Sequence, residues 1–409
     1  MLTFEELYKK VVASSETKER DEDLEKLQYD PYHLECILEP DLSIKKWQCS
    51  NDCCVEGKPF IECFFKHLSQ DENNQNVFEF KDQKCKECFD VKNIDKLFAS
   101  KDIMAVLEAI YEGSRPVYAI IAPAFLSQFD MISDGQLRNA FKQLGFAGMV
   151  EVSLFADILT LKEALEFDKE INDEEDFQLT SCCCPIWINM IRKIYPDLLS
   201  HVPKAVSPMV ATGRVVKKII PNAVIVFVGP CLAKKAEAKE PDISEAVDIV
   251  LTFQEVKAIF EAANVNVENL KSDLREHSSS AGRIYAITSG VSEAVRLAVK
   301  RINPEKPIQV KAIQANGILE CKALLNNIKE GKIEANFLEG MGCVGGCVGG
   351  PRAIIDKEVA TEKVRNYADE SLYKTPIDNP YVIELLHRLD IHTIDELLED
   401  NEIFTRHFT

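Results

Sequence analysis

The 409 residues carry 46% hydrophobic and 8% aromatic side chains, the composition of a chain with a packed core rather than a disordered one. A formal net charge of −19, with no run of lysine or arginine, excludes nucleic acid as a partner, because a phosphate backbone would be repelled over most of such a surface. No window approaches a membrane span, and Met1-Leu2-Thr3-Phe4-Glu5-Glu6-Leu7 opens with acids instead of a basic segment and a long apolar run, so the expected location is the cytoplasm and no membrane partner is expected. Fourteen cysteines in a reducing compartment are poor disulfide candidates. Metal ligation is the reading for the clustered ones, whereas Cys36 and Cys321 sit alone and read as packing thiols.

Composition changes near residue 113. Before it, Cys36, Cys49, Cys53, Cys54, Cys63, Cys85 and Cys88 lie among charged and polar residues without repeated strand and helix alternation, so this segment is expected to need a metal to fold. Cys85-Lys86-Glu87-Cys88 is the first half of a Cys-x2-Cys-x2-Cys-x3-Cys run, with Val91 and Asp95 where further cysteines would fall. His67 stands four residues past Cys63. One accessory 4Fe-4S cluster, drawn from Cys49, Cys53, Cys54, Cys63, Cys85 and Cys88, is the preferred reading, with zinc or a cluster-free fold as alternatives.

From Arg115 on, apolar runs alternate with helical periodicity. Val117–Ile121, Met149–Val152, Val224–Val228, Ile284–Ile287 and Val310–Ile313 read as strands, and helices are expected over Phe155–Phe167 and Val291–Arg301. The alternation predicts an α/β domain with mainly parallel sheets flanked by helices. Beyond Arg352, amphipathic segments such as Tyr381 to Asp390 predict a C-terminal helical extension. The expected domains are therefore 1–113, 114–352 and 353–409.

Three motifs fall just after strands, where open α/β sheets bind their ligands. They are Thr180-Ser181-Cys182-Cys183-Cys184-Pro185-Ile186-Trp187, then Phe227-Val228-Gly229-Pro230-Cys231-Leu232-Ala233-Lys234-Lys235, then Glu339-Gly340-Met341-Gly342-Cys343-Val344-Gly345-Gly346-Cys347. Zinc sites usually close with knuckles of two cysteines two to four residues apart, whereas here the thiols come from far-apart loops, which favours a larger iron–sulfur group. The first motif opens a helix expected over Ile188–Ile194, whose N-terminus stabilises thiolate charge and which Trp187 would anchor by packing. Lys234, three residues past Cys231, can reach toward whatever that thiolate holds. Gly342, Gly345, Gly346, Gly349 and Gly350 would let the backbone approach a bulky cluster.

In this order, and within a stretch from about Val117 to Arg352, the motifs resemble those of the FeFe-hydrogenases. The triple cysteine and the Gly-Pro-Cys-Leu-Ala-Lys-Lys segment resemble most the sensory branch called group D. The resemblance implies a catalytic domain of two lobes, a degenerate ferredoxin-like N-terminal domain and an H-cluster: a 4Fe-4S cubane joined through cysteine to a di-iron unit bearing carbonyl, cyanide and an azadithiolate bridge. Carried over by motif, the ligands are Cys184, Cys231, Cys343 and Cys347, with Cys347 as the bridge. Cys183 passes protons, Lys234 donates to a cyanide, and Met341, Pro230, Ser207 and the loop Ala122-Pro123-Ala124 line the di-iron pocket. The alternative register moves the cubane ligand of the first motif to Cys183. Glu163, Glu166, Glu255 and Glu293 match carboxylates of proton routes, although each also fits a solvated helix face, and Pro203 falls where a serine of the usual route is expected.

The implied activity is the interconversion of dihydrogen with protons and electrons, with maturation proteins inserting the di-iron unit and a ferredoxin-like carrier or a signalling partner exchanging electrons. Gly229 stands where prototypical enzymes carry methionine, and Met209 where a polar residue is usual, which together imply slow turnover. Two other readings are a hydrogen sensor that signals through a partner and a non-catalytic relative serving iron–sulfur assembly.

Overall fold

A computed structural model describes residues 2–14, 24, 26–29, 31–38, 47–49, 78–80, 91–129, 132–180, 183–272 and 277–408. The chain divides into two compact units, Met1–Tyr111 and Glu112–Thr409. In the first, the helices Phe4–Ser14 and Pro31–Leu38 bury Leu7, Val11 and Ile37, and β1 (Trp47–Cys49) pairs antiparallel with β2 (Phe78–Phe80), Trp47 opposite Phe80. Cys49 therefore lies on β1. Cys53, Cys54, Cys63, Cys85 and Cys88 lie outside the described residues, as does Cys182. Val91 and Asp95 belong to a helix, Val91–Glu112, so a helix occupies the positions where an iron–sulfur run would continue.

The second unit is built on two parallel sheets. One has the order β4 (Gly148–Glu151), β3 (Val117–Ile121), β6 (Val224–Gly229), β7 (Ile249–Thr252). The other has the order β5 (Gln178–Leu179), β9 (Phe337–Met341), β8 (Ala312–Asn316). Helices connect the strands, as parallel pairing requires. The interior strand β6 is Val-Ile-Val-Phe-Val-Gly and is buried along its whole length, the unbroken apolar run expected of a strand covered on both faces. The helix Ser153–Glu170 is also enclosed, with apolar residues such as Phe155, Ile158, Leu165 and Phe167 buried on several sides.

Strands at 117–121 and 224–229 and helices at Ser153–Glu170 and Gly290–Ile302 follow the sequence expectation. Two strands do not. Ile284–Ile287 is a 3-10 turn, Ile284–Ala286, following the short helix Ser280–Arg283. Its residues are buried in the core, and a short apolar run is equally satisfied by a buried turn or a buried strand. The strand expected at Val310–Ile313 starts later, at Ala312, because the Asn336 side chain takes the Lys311 backbone N–H at 2.7 Å before the ladder with β9 begins. Residues after Arg352 form the helices Lys357–Asp369, Pro380–Arg388 and Ile394–Glu399 and pack into this same unit: Lys162 Nζ donates to Leu397 O at 3.0 Å, and Thr405 bridges to Ala205. No described helix is long and apolar enough to cross a membrane.

Candidate functional site

Each cysteine motif leaves the carboxyl end of a strand. Beyond β5 the backbone reaches Cys184, whose extended conformation (φ −104°, ψ 110°) sets it just before the helix Pro185–Ile194. Pro185 at the first helical position costs that helix no hydrogen bond. Trp187 is fully buried and lies flat against the β9 backbone at Gly340, where a Cβ would meet the indole at 2.1 Å. Glycine is thus required there by the tryptophan, and truncating Trp187 should cost roughly 3–5 kcal/mol. Cys231 follows the end of β6, and Cys343 and Cys347 follow β9.

The three loops converge. Gly342 N donates to Cys184 Sγ at 3.4 Å, tying the third motif to the first. Arg352 N donates to Pro230 O at 3.1 Å, and a Cβ on Gly350 would meet that same oxygen at 2.8 Å, tying the third to the second. Gly346, at φ +85°, is pressed on the Ile287–Thr288 backbone. The motif's glycines serve this backbone approach between loops as well as any close approach to a cluster.

The thiols feel one another. Burial, followed by Cys231 and Cys184, pushes Cys343 up to about 12, and the same causes raise Cys347 further. Burial also raises Cys231 despite the nearby Lys234. Cys183 is raised by burial and then by Cys184, Glu163, Cys347 and Glu339, so two carboxylates share its surroundings. Among the described residues, no three His, Cys, Asp or Glu side chains converge closely enough to hold a single metal ion.

Lys234 is buried, on the short helix Ala233–Glu237, with its Nζ 2.6 Å from Glu237 Oε2. Burial is the largest influence and opposes its charge, but Glu237, Cys231 and Cys183 together raise the pKa of Lys234. The pair is set at an angle that leaves the ammonium and both carboxylate oxygens without a well-directed hydrogen bond. Glu237 was missed from the sequence, although its i, i+3 spacing from Lys234 was visible.

Met341, the last residue of β9, is buried, and its carbonyl accepts from Gly317 N at 2.7 Å. Ala122 and Ala124 are buried beyond β3, and Ala122 neighbours Gly229, whose Cβ would lie 3.1 Å from Ala122 Cβ and 2.8 Å from the Phe227 ring. Phe227 thus closes the space a larger residue at 229 would need. Ser207 is buried and caps the helix Pro208–Ile219. Cys321 is enclosed in the apolar core around Trp187 and Leu338, with Sγ 3.5 Å from Met341 O.

The four glutamates separate. Glu163 is 1% exposed. Glu166 is mostly buried, 3.9 Å from Lys162, and burial raises its pKa. Glu255 closes a capping box at the start of the helix Phe253–Ala262, accepting from Thr252 N at 2.7 Å, and pairs with Lys235 at 3.2 Å. Glu293 is more than a third exposed and lies 3.7 Å from Arg365. A further carboxylate, Glu339, is fully buried on β9 and accepts from Ser289 N and Ser292 N, each at 2.8 Å, at the start of the helix Gly290–Ile302. Burial pushes it up to about 7 against those bonds.

Residues 115–351 match the family described as iron only hydrogenase large subunit, C-terminal domain. The chain is 29% identical over 274 residues to iron hydrogenase 1 of Clostridium pasteurianum, covering 57% of this chain and 48% of that protein. It is 27% identical over 365 residues to the NADP-reducing hydrogenase subunit HndD of Solidesulfovibrio fructosivorans, covering 74% and 62%. The chain thus spans about half to two thirds of the length of these curated relatives. A solved structure from work on oxygen inactivation of FeFe-hydrogenase and degradation of its H-cluster superposes with a TM-score of 0.60 at 20% identity, over 74% of this chain and 98% of that one, a likeness of fold.

Proposed function

Because the chain belongs, through residues 115–351, to the iron-only hydrogenase family, we propose that it holds an H-cluster and interconverts dihydrogen with protons and electrons, as a slow catalyst. The observation that carries this reading is the meeting of Cys184, Cys231, Cys343 and Cys347 at the carboxyl ends of two parallel sheets, beside Cys183 and the buried Lys234–Glu237 pair. The donor set fits the group. Half-buried thiols that raise one another's pKa become thiolates only beside a strong positive charge, and coordinated iron would supply one. Four cysteines drawn from three loops match the number of thiolates a cubane takes. The Lys234 ammonium has N–H bonds to spare for an anionic acceptor.

In this reading Cys184, Cys231, Cys343 and Cys347 hold the cluster, with Cys347 as the bridge. When bound, the group supplies the redox-active metals at which dihydrogen reacts. Lys234, buried and paired with Glu237, would hold an anionic ligand of the group. Ala122, Pro123, Ala124, Pro230, Ser207 and Met341 shape the pocket. Cys183 exchanges a proton with the site, and Glu163, whose charge acts on Cys183, is the next holder, with Glu166 nearer the surface. Electrons pass to a ferredoxin-like carrier, and one accessory 4Fe-4S cluster among Cys49, Cys53, Cys54, Cys63, Cys85 and Cys88 belongs to the same proposal. The triple cysteine and Gly229 favour a place in the sensory branch, with low turnover reporting hydrogen to a partner.

The test is the infrared spectrum of anaerobically reconstituted full-length protein after addition of the synthetic di-iron azadithiolate complex. Carbonyl and cyanide bands that shift under hydrogen are expected. A protein that binds cubane iron yet shows no such bands overturns the hydrogenase reading in favour of an assembly relative. Iron beyond the catalytic set is expected from the accessory cluster, and iron counting that finds none removes it.

A further inference from the structure

The third motif turns between Cys343 and Cys347, and the backbone of that turn is held from outside the motif. Gly345 N donates to Asn316 Oδ1 at 2.7 Å, and Thr288 Oγ1 donates to the same oxygen at 2.9 Å. Two donors on one atom fix the amide with its oxygen toward the turn. Gly345 O accepts from Thr288 N at 3.2 Å, and Gly346 forms an antiparallel bridge with Ile287. Asn316 ends β8, and the loop that carries Thr288 is fastened in turn by Glu339, which accepts the N–H of Ser289 at 2.8 Å. Ser289 has a left-handed backbone (φ +73°), a conformation that a residue with a Cβ keeps only where its surroundings impose it.

The Gly345 N–H is therefore taken by a side chain from another strand. Another acceptor lies two residues back in the chain: a short side chain can accept the N–H two residues on, and Cys343 is so placed. In the second motif that local bond is made, for Cys231 accepts from the backbone N–H groups of Ala233 and Lys234. In the first, Cys184 Sγ accepts from Gly342 N at 3.4 Å. In the third, the N–H two residues past Cys343 goes to Asn316 instead. Among the described residues, Cys343 is influenced by burial, Cys231 and Cys184, with no backbone donor.

We propose that Asn316 is a positioning residue that withholds the Gly345 N–H from the Cys343 sulfur, and so keeps the cluster held by Cys343 and Cys347 at a lower reduction potential than it would otherwise have. An N–H donated to a ligating sulfur stabilises the more negative, reduced cluster and raises its potential, and diverting the donor acts in the opposite sense. No bond to hydrogen breaks: Gly345 keeps its proton, and Asn316 decides only which atom accepts it. The cluster then gives up electrons more readily. Asn316 acts on the cubane alone, so its role rests on the reading of Cys343 and Cys347 as ligands and not on the di-iron unit.

The test is a redox titration, followed by electron paramagnetic resonance, of the full-length chain carrying its cubane and no di-iron unit. Asn316→Ala, which removes the acceptor, is expected to shift the midpoint potential upward. Electron–nuclear double resonance after exchange into deuterated water should show a coupled exchangeable proton in that variant that the parent lacks. Asn316→Asp keeps an oxygen on Gly345 and adds negative charge, and should stay at or below the parent potential. Thr288→Val removes the neighbouring hydroxyl yet leaves the Asn316 oxygen in place, and should keep the parent potential. A potential unchanged in Asn316→Ala overturns the proposal, as does an equal upward shift in Thr288→Val or Asn316→Asp, which a merely loosened turn would give. Asn316→Leu, close to asparagine in volume, decides the matter if the alanine variant fails to fold. Missing carbonyl and cyanide bands after loading, with the upward shift present, would instead overturn the hydrogenase reading and leave the role of Asn316 standing.

Discussion

Glu163, Glu237 and Glu339 are buried around the cysteine loops, whereas Glu255 is tied to Lys235 at a helix start and Glu293 stands half exposed beside Arg365. The two sets differ in what their charge costs. In a dry setting each protonation state must be supported by a named neighbour, such as Lys234 for Glu237 or two backbone N–H groups for Glu339. Near water, as at Glu293, the solvent supports either state and a partner adds little, whereas Glu255, with its side chain 11% exposed, is held by its cap and by Lys235. Buried carboxylates are therefore where proton affinity can be set by the fold, and the outer pair serve the helices they sit on.

The largest expected effect comes from breaking a buried pair. Lys234→Met leaves the Glu237 carboxylate enclosed and uncompensated and should destabilise the protein by roughly 3–5 kcal/mol in chemical denaturation. Lys234→Met combined with Glu237→Leu should recover most of that loss. A single variant as stable as the parent would mean that the enclosure is wetter than its geometry suggests.

Glu339 gives the contrast a pH dependence. Its folded pKa of about 7 lies above the ordinary 4.5, so the fold takes up a proton that the unfolded chain has released. Its contribution is fully present below pH 4.5 and is lost as pH rises toward 7, an effect of roughly 3 kcal/mol. Denaturation midpoints measured across that range should fall for the parent and fall less for Glu339→Gln.

Glu163→Gln should lower turnover of the loaded enzyme by about 100-fold or more while leaving cubane iron unchanged. Turnover equal to the parent's would remove Glu163 from the route. For the outer set the changes are smaller. Glu255→Ala loses a cap and the Lys235 pair, about 1 kcal/mol of stability, with turnover kept. Glu293→Gln should alter neither, and a turnover loss there comparable to that of Glu163→Gln would erase the contrast and restore a second route.

Much of the scaffold was legible because it depends on residue type and local pattern. The unbroken apolar run of β6 reads as a strand covered on both faces, and the three motifs announce themselves by thiols at strand ends. The turn at Ile284–Ala286 was not legible, since four buried apolar positions carry no periodicity that separates a turn from a strand. At Gly229 the sequence showed an absent side chain, but only the fold shows the Phe227 ring closing that space.

The sequence by itself determined the chemistry on offer: which thiols, which lysine and which carboxylates exist, and that their loops leave parallel strands. Tertiary structure alone decided which of them are buried together. Glu339 meets Ser289 across 50 residues of chain, and Tyr285 meets Thr160 across 125. Burial and pairing of that kind depend on how sheets and helices pack, so no local pattern encodes them, and they separate Glu163 from Glu293 where residue type could not.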